Sequence, residues 1–335
     1  MRVWQVISLL AMLIVTTAHA QDAHYSQFYR DPIYTNPANA GSFLGSYRFE
    51  GHYRNQWNSI TQPFETYGLS VDAANFLKLK GLGTAINIFN DVSGDGTLSN
   101  LQINLAMSYG LRLTSDSTQI LTLGIQGGWY HRQIDFNSLY FDDQYTNGSY
   151  KPDLATSETY TSNSNNDFNT HAGIVYNNYL SSRSRITAGL AVHNITSPNL
   201  AFTGDVEPLD LRYSLHAQVE FPIHANLNLL PGVLGMSQGP HREVLAGANL
   251  KYLLDQRLYN YRAFQLGGWY RWDDAVVVFA GVDWGPWQFG ASYDINTSSL
   301  QRASGNRGGF ELSVIYILKD ILPKRINFKN CPDYI

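Results

Sequence analysis

The chain has 335 residues, of which 15% are charged and 13% are aromatic, including 22 Tyr and 7 Trp. Soluble domains usually carry about 25% charged residues, so this composition argues against an ordinary water-soluble domain with a charged surface. The formal net charge of -4 argues against a nucleic-acid partner. A membrane accounts for the aromatic excess, because Tyr and Trp rings favour the zone between lipid and water.

Residues 1–20 have the organisation of a secretory signal peptide. They contain a positive charge at Arg2, a short apolar stretch, and Ala18 and Ala20 as a small-x-small cleavage site. We therefore predict that the mature chain begins at residue 21. An uncleaved membrane anchor is the alternative, but an anchor needs about 20 apolar residues.

Period-2 alternation is the main structural signal. From residue 209 to residue 221 apolar residues alternate strictly with polar ones, and residues 100–113 repeat the pattern. Such alternation predicts strands with one apolar face, whereas a helix would mix the two sets of residues. No second long apolar run follows the signal peptide, which excludes a bundle of membrane helices. We therefore predict an all-β fold, an outer-membrane antiparallel β-barrel.

The same alternation places about fourteen strands along the chain. They cover residues 46–57, 64–74, 81–90, 99–113, 118–132, 168–179, 185–196, 209–221, 225–238, 243–253, 261–272, 275–284, 287–296 and 308–318. Bacterial barrels have even strand counts, so twelve and sixteen are the alternatives. The predicted organisation is a signal peptide (1–20), a periplasmic N-terminal segment (21–45), a transmembrane barrel (46–318) and a periplasmic tail (319–335).

The connections between the predicted strands alternate in length. The longest, 133–167, follows an odd-numbered strand, as do 197–208 and 297–307, whereas the connections after even-numbered strands are mostly short. Outer-membrane barrels have long loops outside the cell and tight turns in the periplasm. We expect the long connections outside. The polar composition of 133–167 predicts a flexible surface loop or a partner-binding one.

The inward positions of the predicted strands carry charges of both signs. Taken literally, the alternation directs these residues toward the lumen: Arg48, Glu50, Arg54, Arg212, Glu220, Arg271, Asp283, Asp294 and Glu311. Buried charges usually pair, because an unpaired one has a large desolvation cost. We expect a network of ion pairs that stiffens the barrel, with a selective conduit or a socket for an inserted peptide as the functional alternative.

No catalytic, metal or cofactor site emerges from the sequence. Residues 235–239 match the G-x-S-x-G pattern around Ser237, but Pro240 follows and no helix is predicted to complete a nucleophile elbow. The segment 91–96 lacks the acidic spacing of an EF-hand calcium loop. The nine His show no metal-binding spacing. We expect a protein that is not an enzyme, with an outer-membrane hydrolase using Ser237 as the alternative.

Several separated motifs in the mature chain resemble one known family. They are Tyr25-Ser26-Gln27-Phe28, Asn36-Pro37-Ala38-Asn39-Ala40-Gly41, Tyr53-Arg54-Asn55-Gln56-Trp57 and Pro63, followed later by pieces such as Gly267-Gly268-Trp269-Tyr270-Arg271. In this order and spacing the series resembles the PorP/SprF family of membrane proteins associated with type IX secretion. The resemblance spans essentially the whole mature chain.

The resemblance implies an outer-membrane barrel that works with a type IX secretion machine. Family members look like partners of large secreted surface proteins, often adhesins, which they help to export or to hold at the cell surface. The implied partners are outer-membrane lipid, type IX secretion components and a secreted client protein with a C-terminal sorting domain. The alternatives are a pore for small or hydrophobic solutes and a purely structural barrel.

The residues of these motifs are candidates for contact with a partner. They are Tyr25, Ser26, Gln27, Asn36, Pro37, Gly41, Tyr53, Arg54, Gln56, Trp57 and Pro63. The stretch 36–41 is small and turn-forming, so we expect it to fold back near the periplasmic mouth before the first strand. Tyr53 and Trp57 have outward parity near a strand end, where an aromatic girdle is expected. Strand nucleation and lumen packing are the structural alternative.

Overall fold

The computed structural model describes residues 22, 24–56, 62–146, 148–151, 153–154, 156–204, 206–257, 260–298 and 307–319. Within these residues fourteen antiparallel strands form one closed barrel, which confirms the predicted fold class and strand count. No helix in the described ranges is long and apolar enough to cross a membrane. The predicted signal peptide, Trp57 and the tail beyond Lys319 lie outside the described residues.

Each barrel strand pairs with its neighbours along the chain, and the first strand closes the barrel against the last. The barrel strands are β1 (Tyr47–Gln56), β2 (Phe64–Ala73), β3 (Leu82–Ser93), β4 (Leu98–Arg112), β5 (Gln119–Gln133), β8 (Ser164–Ser181), β9 (Ser184–His193), β10 (Arg212–His224), β11 (Leu227–Gln238), β12 (His241–Asp255), β13 (Arg262–Arg271), β14 (Ala275–Trp284), β15 (Trp287–Asn296) and β16 (Arg307–Leu318). Between β5 and β8, β6 (Tyr145–Thr146) and β7 (Ser149–Tyr150) form a separate hairpin.

Alternation along the strands separates a lipid-facing surface from a lumen. In β4 the exposed side chains of Ile103, Leu105 and Met107 alternate with the buried side chains of Gln102 and Asn104. Apolar side chains cover the outside of the barrel because lipid is the solvent there. Polar side chains face inward, where hydrogen-bonding partners are available.

The bounds of β10 differ from prediction by three residues at each end. This strand begins at Arg212, three residues after the predicted start at Leu209. The backbone N–H of Leu209 donates to the carbonyl of Pro198 within the preceding connection, which removes this residue from the barrel ladder. Leu209 instead lines a cavity at one end of the lumen.

The two ends of the barrel differ in the length of their connections. The strands β5 and β8, β9 and β10, and β15 and β16 are joined at one end, called the long-connection end, and the sequence between them runs over 134–163, 194–211 and 297–306. At the opposite, short-turn end, no connection is longer than the eight residues 74–81 between β2 and β3. The lengths therefore segregate between the two ends as expected for an outer-membrane barrel.

The connection after β5 has more internal structure than its polar composition predicted. Phe136 and Tyr160 stack with ring centroids 3.7 Å apart, and Phe202 from the connection after β9 meets Phe136 edge-on. The backbone N–H of Thr161 also donates to the carbonyl of Phe202. The two long connections therefore brace each other through a small aromatic cluster.

The N-terminal segment, residues 22 and 24–46, lies inside the barrel and is called the plug below. At the long-connection end, the backbone N–H of Asp22 donates to Gln238 and its carboxylate accepts from Asn194. At the short-turn end, the backbone N–H of Gly41 donates to Asp72. The plug thus runs through the length of the lumen. The stretch 36–41, which we expected to fold back near the periplasmic mouth, is the part of the plug that reaches the short-turn end through Gly41.

Short helical turns make the plug compact. They comprise Phe28–Arg30, Pro32–Thr35 and Pro37–Asn39. Asp31 accepts a hydrogen bond from the backbone N–H of Tyr34, and Asn36 accepts one from that of Ala38, so each side chain caps a turn. Proline fits the first position of a turn because no hydrogen bond from its nitrogen is needed there.

Candidate functional site: the plugged lumen

Glycines at inward positions shape the barrel wall to receive the plug. A Cβ atom added at Gly124 would clash with Ala38, one at Gly173 with Asn36, and one at Gly83 with a plug carbonyl oxygen. Further wall glycines whose added Cβ would press on the plug are Gly68, Gly189 and Gly290. The wall and the plug are therefore complementary at the level of single atoms, as in a close-packed protein interior.

Asn36 anchors the plug to the wall. Its side-chain amide donates to the carbonyls of Ile174 in β8 and Leu190 in β9, at 3.2 and 3.0 Å. Its side-chain oxygen accepts from the backbone N–H of Ala38 at 2.9 Å. The Asn36 amide is thus satisfied by wall and plug together, and an apolar replacement would remove all three bonds.

Charges from five strands meet in the lumen near the start of the plug. Arg54 in β1 lies 3.1 Å from Asp294 in β15 and 3.6 Å from Glu311 in β16. Arg271 in β13 lies 3.0 Å from Asp294 and 3.6 Å from Glu243 in β12. Because each carboxylate faces a guanidinium, the desolvation cost of burial is offset by pairing.

The plug hydrogen-bonds directly to this charge cluster. The backbone N–H groups of Ser26 and Gln27 donate to the carboxylate of Glu311 at 2.8 and 3.0 Å. The Ser26 hydroxyl donates to Asp294 at 2.9 Å, and the Arg54 guanidinium donates to the carbonyl of His24 at 2.6 Å. These motif and lumen residues therefore form one connected network.

A second cluster holds the other end of the plug. Arg48 lies 2.9 Å from Glu50 and 2.9 Å from Asp72. The Asp72 carboxylate also accepts from the backbone N–H of Gly41 at 2.7 Å. Gly41 has a φ of +68°, and its Cα approaches Gly83 so closely that a Cβ would lie 2.7 Å from the Gly83 Cα. Only glycine fits this turn without strain.

The remaining lumen charges also face partners. Arg212 lies 3.6 Å from the carboxylate of Asp22. Lys251 pairs with Asp283 at 2.9 Å. Glu220 is only half-buried, and it accepts a hydrogen bond from the side-chain amide of Asn228 at 2.8 Å.

Several of these partners were missed at the sequence level. They are Asp22, His24, Asp72, Glu243 and Lys251, of which the last three occupy inward positions of β2 and β12. The alternation that identified the other lumen charges could also have found those three. Asp22 and His24 precede the first strand, so no strand periodicity points to them.

The other motif residues lie in different surroundings. Tyr25 is buried against His52 and Phe89, with ring centroids 5.1 and 5.9 Å away. Pro37 starts a helical turn of the plug. The hydroxyl of Tyr53 donates to Glu65 at 2.8 Å. Gln56 lines a lumen cavity, whereas Pro63 belongs to the connection between β1 and β2. The motif therefore does not form a single surface.

Two larger cavities remain in the lumen, one toward each end of the plug. The cavity at the long-connection end has a volume of about 390 Å³ and is lined by Asp22, His24, Gln56 and neighbouring strands. The cavity at the short-turn end has a volume of about 380 Å³ and is lined in part by residues 40–44. Across the described ranges, no group of His, Cys, Asp or Glu has an arrangement that could hold a metal ion.

The sequence matches the family described as type IX secretion system membrane protein PorP/SprF over residues 17–316. This chain belongs to the PorP/SprF family. Together with the closed barrel, family membership places the protein in the outer membrane. No curated protein sequence matches the chain.

Solved outer-membrane channels share the barrel of this PorP/SprF protein. The Ralstonia pickettii toluene transporter TbuX superposes with a TM-score of 0.52 at 9% identity, covering 86% of this chain and 92% of that chain. The CymD monoaromatic hydrocarbon channel superposes with a TM-score of 0.50 at 8% identity, covering 87% and 93%. At such low identity the likeness shows the fold alone. Family and fold are those of a secretion-related or channel barrel, not of an enzyme class.

Proposed function

We propose that this PorP/SprF protein assists the export or surface anchoring of a large secreted, adhesin-like protein, without catalysing a reaction. The observation that carries the proposal is the family match, which extends over residues 17–316 and therefore includes plug and barrel. The proposed partners are other type IX secretion components and a client protein with a C-terminal sorting domain. Outer-membrane lipid surrounds the barrel.

The plugged lumen supports a partner role over free diffusion through the barrel. Asp22 pairs with Arg212 at one end of the plug, Gly41 donates to Asp72 at the other, and glycines fit the wall to the plug backbone. A pore for small or hydrophobic solutes is the second candidate function. The lumen cavities of about 390 and 380 Å³ favour it, because a movement of the plug would join them.

The test is affinity purification of the tagged barrel from detergent-solubilised outer membranes, followed by mass spectrometry of the co-purifying proteins. We expect one very large secreted protein with a C-terminal sorting domain. A strain lacking the barrel should lose the same protein from its surface and recover it on complementation. A barrel that purifies alone and conducts ions in planar bilayers would favour the pore instead.

A further inference from the structure

The cavity at the short-turn end has a partly apolar lining that no other part of the described residues covers. Phe43, Leu44, Ala74 and Ile120 contribute to its walls, and its volume is about 380 Å³. Leu44 is 79% exposed, the largest exposed fraction among the large hydrophobic side chains in the described part of the chain. Leu44 belongs to the last part of the plug and lines the lumen cavity, so it is not one of the lipid-facing strand positions. A concave lining that combines apolar side chains with a few polar groups is typical of a binding site.

The floor of this cavity is held in place by contacts of its own. The Arg48 guanidinium lies 4.8 Å from the centre of the Phe43 ring. The side-chain amide of Asn177 donates to the hydroxyl of Ser42 at 3.2 Å. The two residues that precede Leu44 are therefore held by wall residues, and a ligand that meets Leu44 also meets this preformed surface.

The rim of the cavity is predominantly positive. Arg112 lines the cavity, and its described lining contains no carboxylate. Lys78 and Lys80 lie in the connection between β2 and β3, which borders the cavity through Asn75. In the neighbouring turn, the carboxylate of Asp116 accepts from the hydroxyl of Thr118 at 2.8 Å. The complement of this rim is an acidic group.

The connection between β2 and β3 has an uncommon backbone conformation. Asn75, Leu77 and Lys78 have φ values of 52°, 53° and 63°. The side-chain oxygen of Asn75 accepts from the backbone N–H of Gly81 at 2.9 Å, which closes the turn. Left-handed conformations at residues other than glycine persist only where the surroundings hold them, and they cluster at binding sites. This part of the rim is thus pre-shaped.

We propose that this cavity is a socket for a peptide segment of a periplasmic protein that presents a large apolar side chain next to a carboxylate. The apolar side chain packs on Leu44 and Ile120, and the carboxylate meets Arg112. The proposal rests on the proposed function for the kind of partner, a protein that works with the secretion machine. The short-turn end faces the periplasm, because outer-membrane barrels place their tight turns there.

Two other occupants are less well matched to the cavity. The chain's own tail starts at the same end, where the backbone N–H of Ser46 donates to the carbonyl of Leu318. Asp320 precedes Ile321 in this tail, but residues 319–335 contain four Lys or Arg and two Asp, a formal charge of 4 − 2 = +2, so the basic rim disfavours the tail as a whole. Lipid headgroups can be acidic, but they do not combine charge with a single protruding apolar side chain.

Fluorescence anisotropy of a labelled peptide tests the proposal. The full-length barrel is placed in phosphatidylcholine nanodiscs, and the probes are a peptide of alternating Leu and Glu and its Leu and Lys counterpart. We expect the Glu peptide to bind. Leu44→Ser and Arg112→Glu should each weaken it at least about tenfold, and Arg112→Glu should gain affinity for the Lys peptide, since charge complementarity governs such contacts.

Two matched variants serve as controls. Leu254→Ser removes a leucine that is 54% exposed at the same end and does not line the cavity. Arg257→Glu changes an exposed arginine of the same end that pairs with Asp255. Both should bind the Glu peptide like the parent protein. Folding of every variant is checked by its unheated mobility in SDS gels.

The proposal fails if the Glu peptide does not bind the parent barrel, or if Leu44→Ser and Arg112→Glu bind it unchanged. If the peptide binds only after residues 319–335 are removed, the tail is the natural occupant of the cavity. If the peptide binds only when anionic lipid is present, the rim binds lipid headgroups instead. Export distinguishes the two proposals. If a strain lacking the barrel exports every surface protein normally, the proposed function is wrong even where the peptide binds.

Discussion

Gly124 shows how one wall residue controls the fit of the plug. It lies on β5 with its Cα against the plug, so that an added Cβ would meet the Pro37 carbonyl carbon at 2.6 Å. An added Cβ at Gly235 on β11 would have no heavy atom within 4 Å. The two glycines therefore separate the effect of plug contact from the general effect of adding a methyl group to a strand.

We predict that Gly124→Ala loosens the plug, whereas Gly235→Ala does not. Overpacking of a well-packed site costs about 1–3 kcal/mol. The temperature at which the barrel loses its unheated SDS-gel mobility should therefore fall for Gly124→Ala only, and its bilayer conductance should rise. Equal behaviour of the two variants would mean that the plug does not contact Gly124 in the membrane.

Asp31 is a carboxyl group of the plug that is 2% exposed. Burial raises the pKa of Asp31 well above its usual value, and the nearby charge of Glu50 adds to the effect. With the folded-state pKa raised, the stability contribution of Asp31 is complete below the unfolded pKa of about 3.9 and is lost as the pH rises through the folded-state value. At neutral pH the carboxylate destabilises the folded protein.

We predict that Asp31→Asn raises thermal stability at neutral pH, and that its advantage shrinks as the pH falls toward 4. Asn can still accept the hydrogen bond from the backbone N–H of Tyr34. Asp116 provides the contrast, because hydrogen bonds from Thr114 and Thr118 lower its pKa. Asp116→Asn should therefore destabilise at neutral pH and become neutral in acid. Melting curves at several pH values check both signs, and an advantage of Asp31→Asn that grows in acid would contradict the assignment.

At the scale of elements, the plug behaves as part of the barrel core. It has short helical turns capped by Asp31 and Asn36, and it supplies apolar residues to packed clusters with the wall. Phe28, for example, packs edge-on against Trp269 with centroids 5.5 Å apart. The plug therefore stabilises the barrel as well as filling it.

We predict that deletion of residues 22–41 converts a barrel of low conductance into an ion-conducting one and lowers its thermal stability, because the lumen network loses its partners. Deletion of the exposed hairpin 145–150 is the control, since β6 and β7 pair only with each other. Planar-bilayer recordings measure the conductance. If the parent barrel conducts as well as the plug deletion, the plug leaves an open path.

At the scale of the whole molecule, the barrel has two unlike ends in one membrane. The long connections brace each other beyond β5 and β9, and the tight turns lie at the other end. Tyr145 in the hairpin and Lys78 in the turn after β2 mark the two ends. Because long loops of outer-membrane barrels face the exterior, these positions should lie on opposite sides.

We predict that a membrane-impermeant maleimide labels Tyr145→Cys in intact cells and labels Lys78→Cys only after the outer membrane is permeabilised. Both changes are made in a Cys331→Ser background, because Cys331 is the only native cysteine. Labelling of Lys78→Cys alone in intact cells would invert the orientation and move the proposed socket to the cell exterior.

The sequence by itself determined the barrel. Ile103, Leu105 and Met107 alternate with polar residues, because one face of the strand meets lipid and the other meets the lumen. This pattern depends only on neighbouring positions in the sequence, so it can be recognised without the tertiary structure. Inward parity likewise pointed to Arg54 and Asp294 as lumen charges. The family motifs were visible in the same way, as short runs of letters.

Only the tertiary structure decided where the N-terminal segment lies. The backbone N–H of Ser26 donates to Glu311, which lies 285 positions away in the sequence. The side-chain amide of Asn36 donates to the carbonyl of Ile174, which lies 138 positions away. The polar groups of this segment are satisfied equally well by water at the mouth or by a wall inside the lumen, so they carry no sign of the choice. The position of the segment inside the lumen depends on glycines such as Gly124 in distant strands. Their contacts with the plug exist only in the closed barrel.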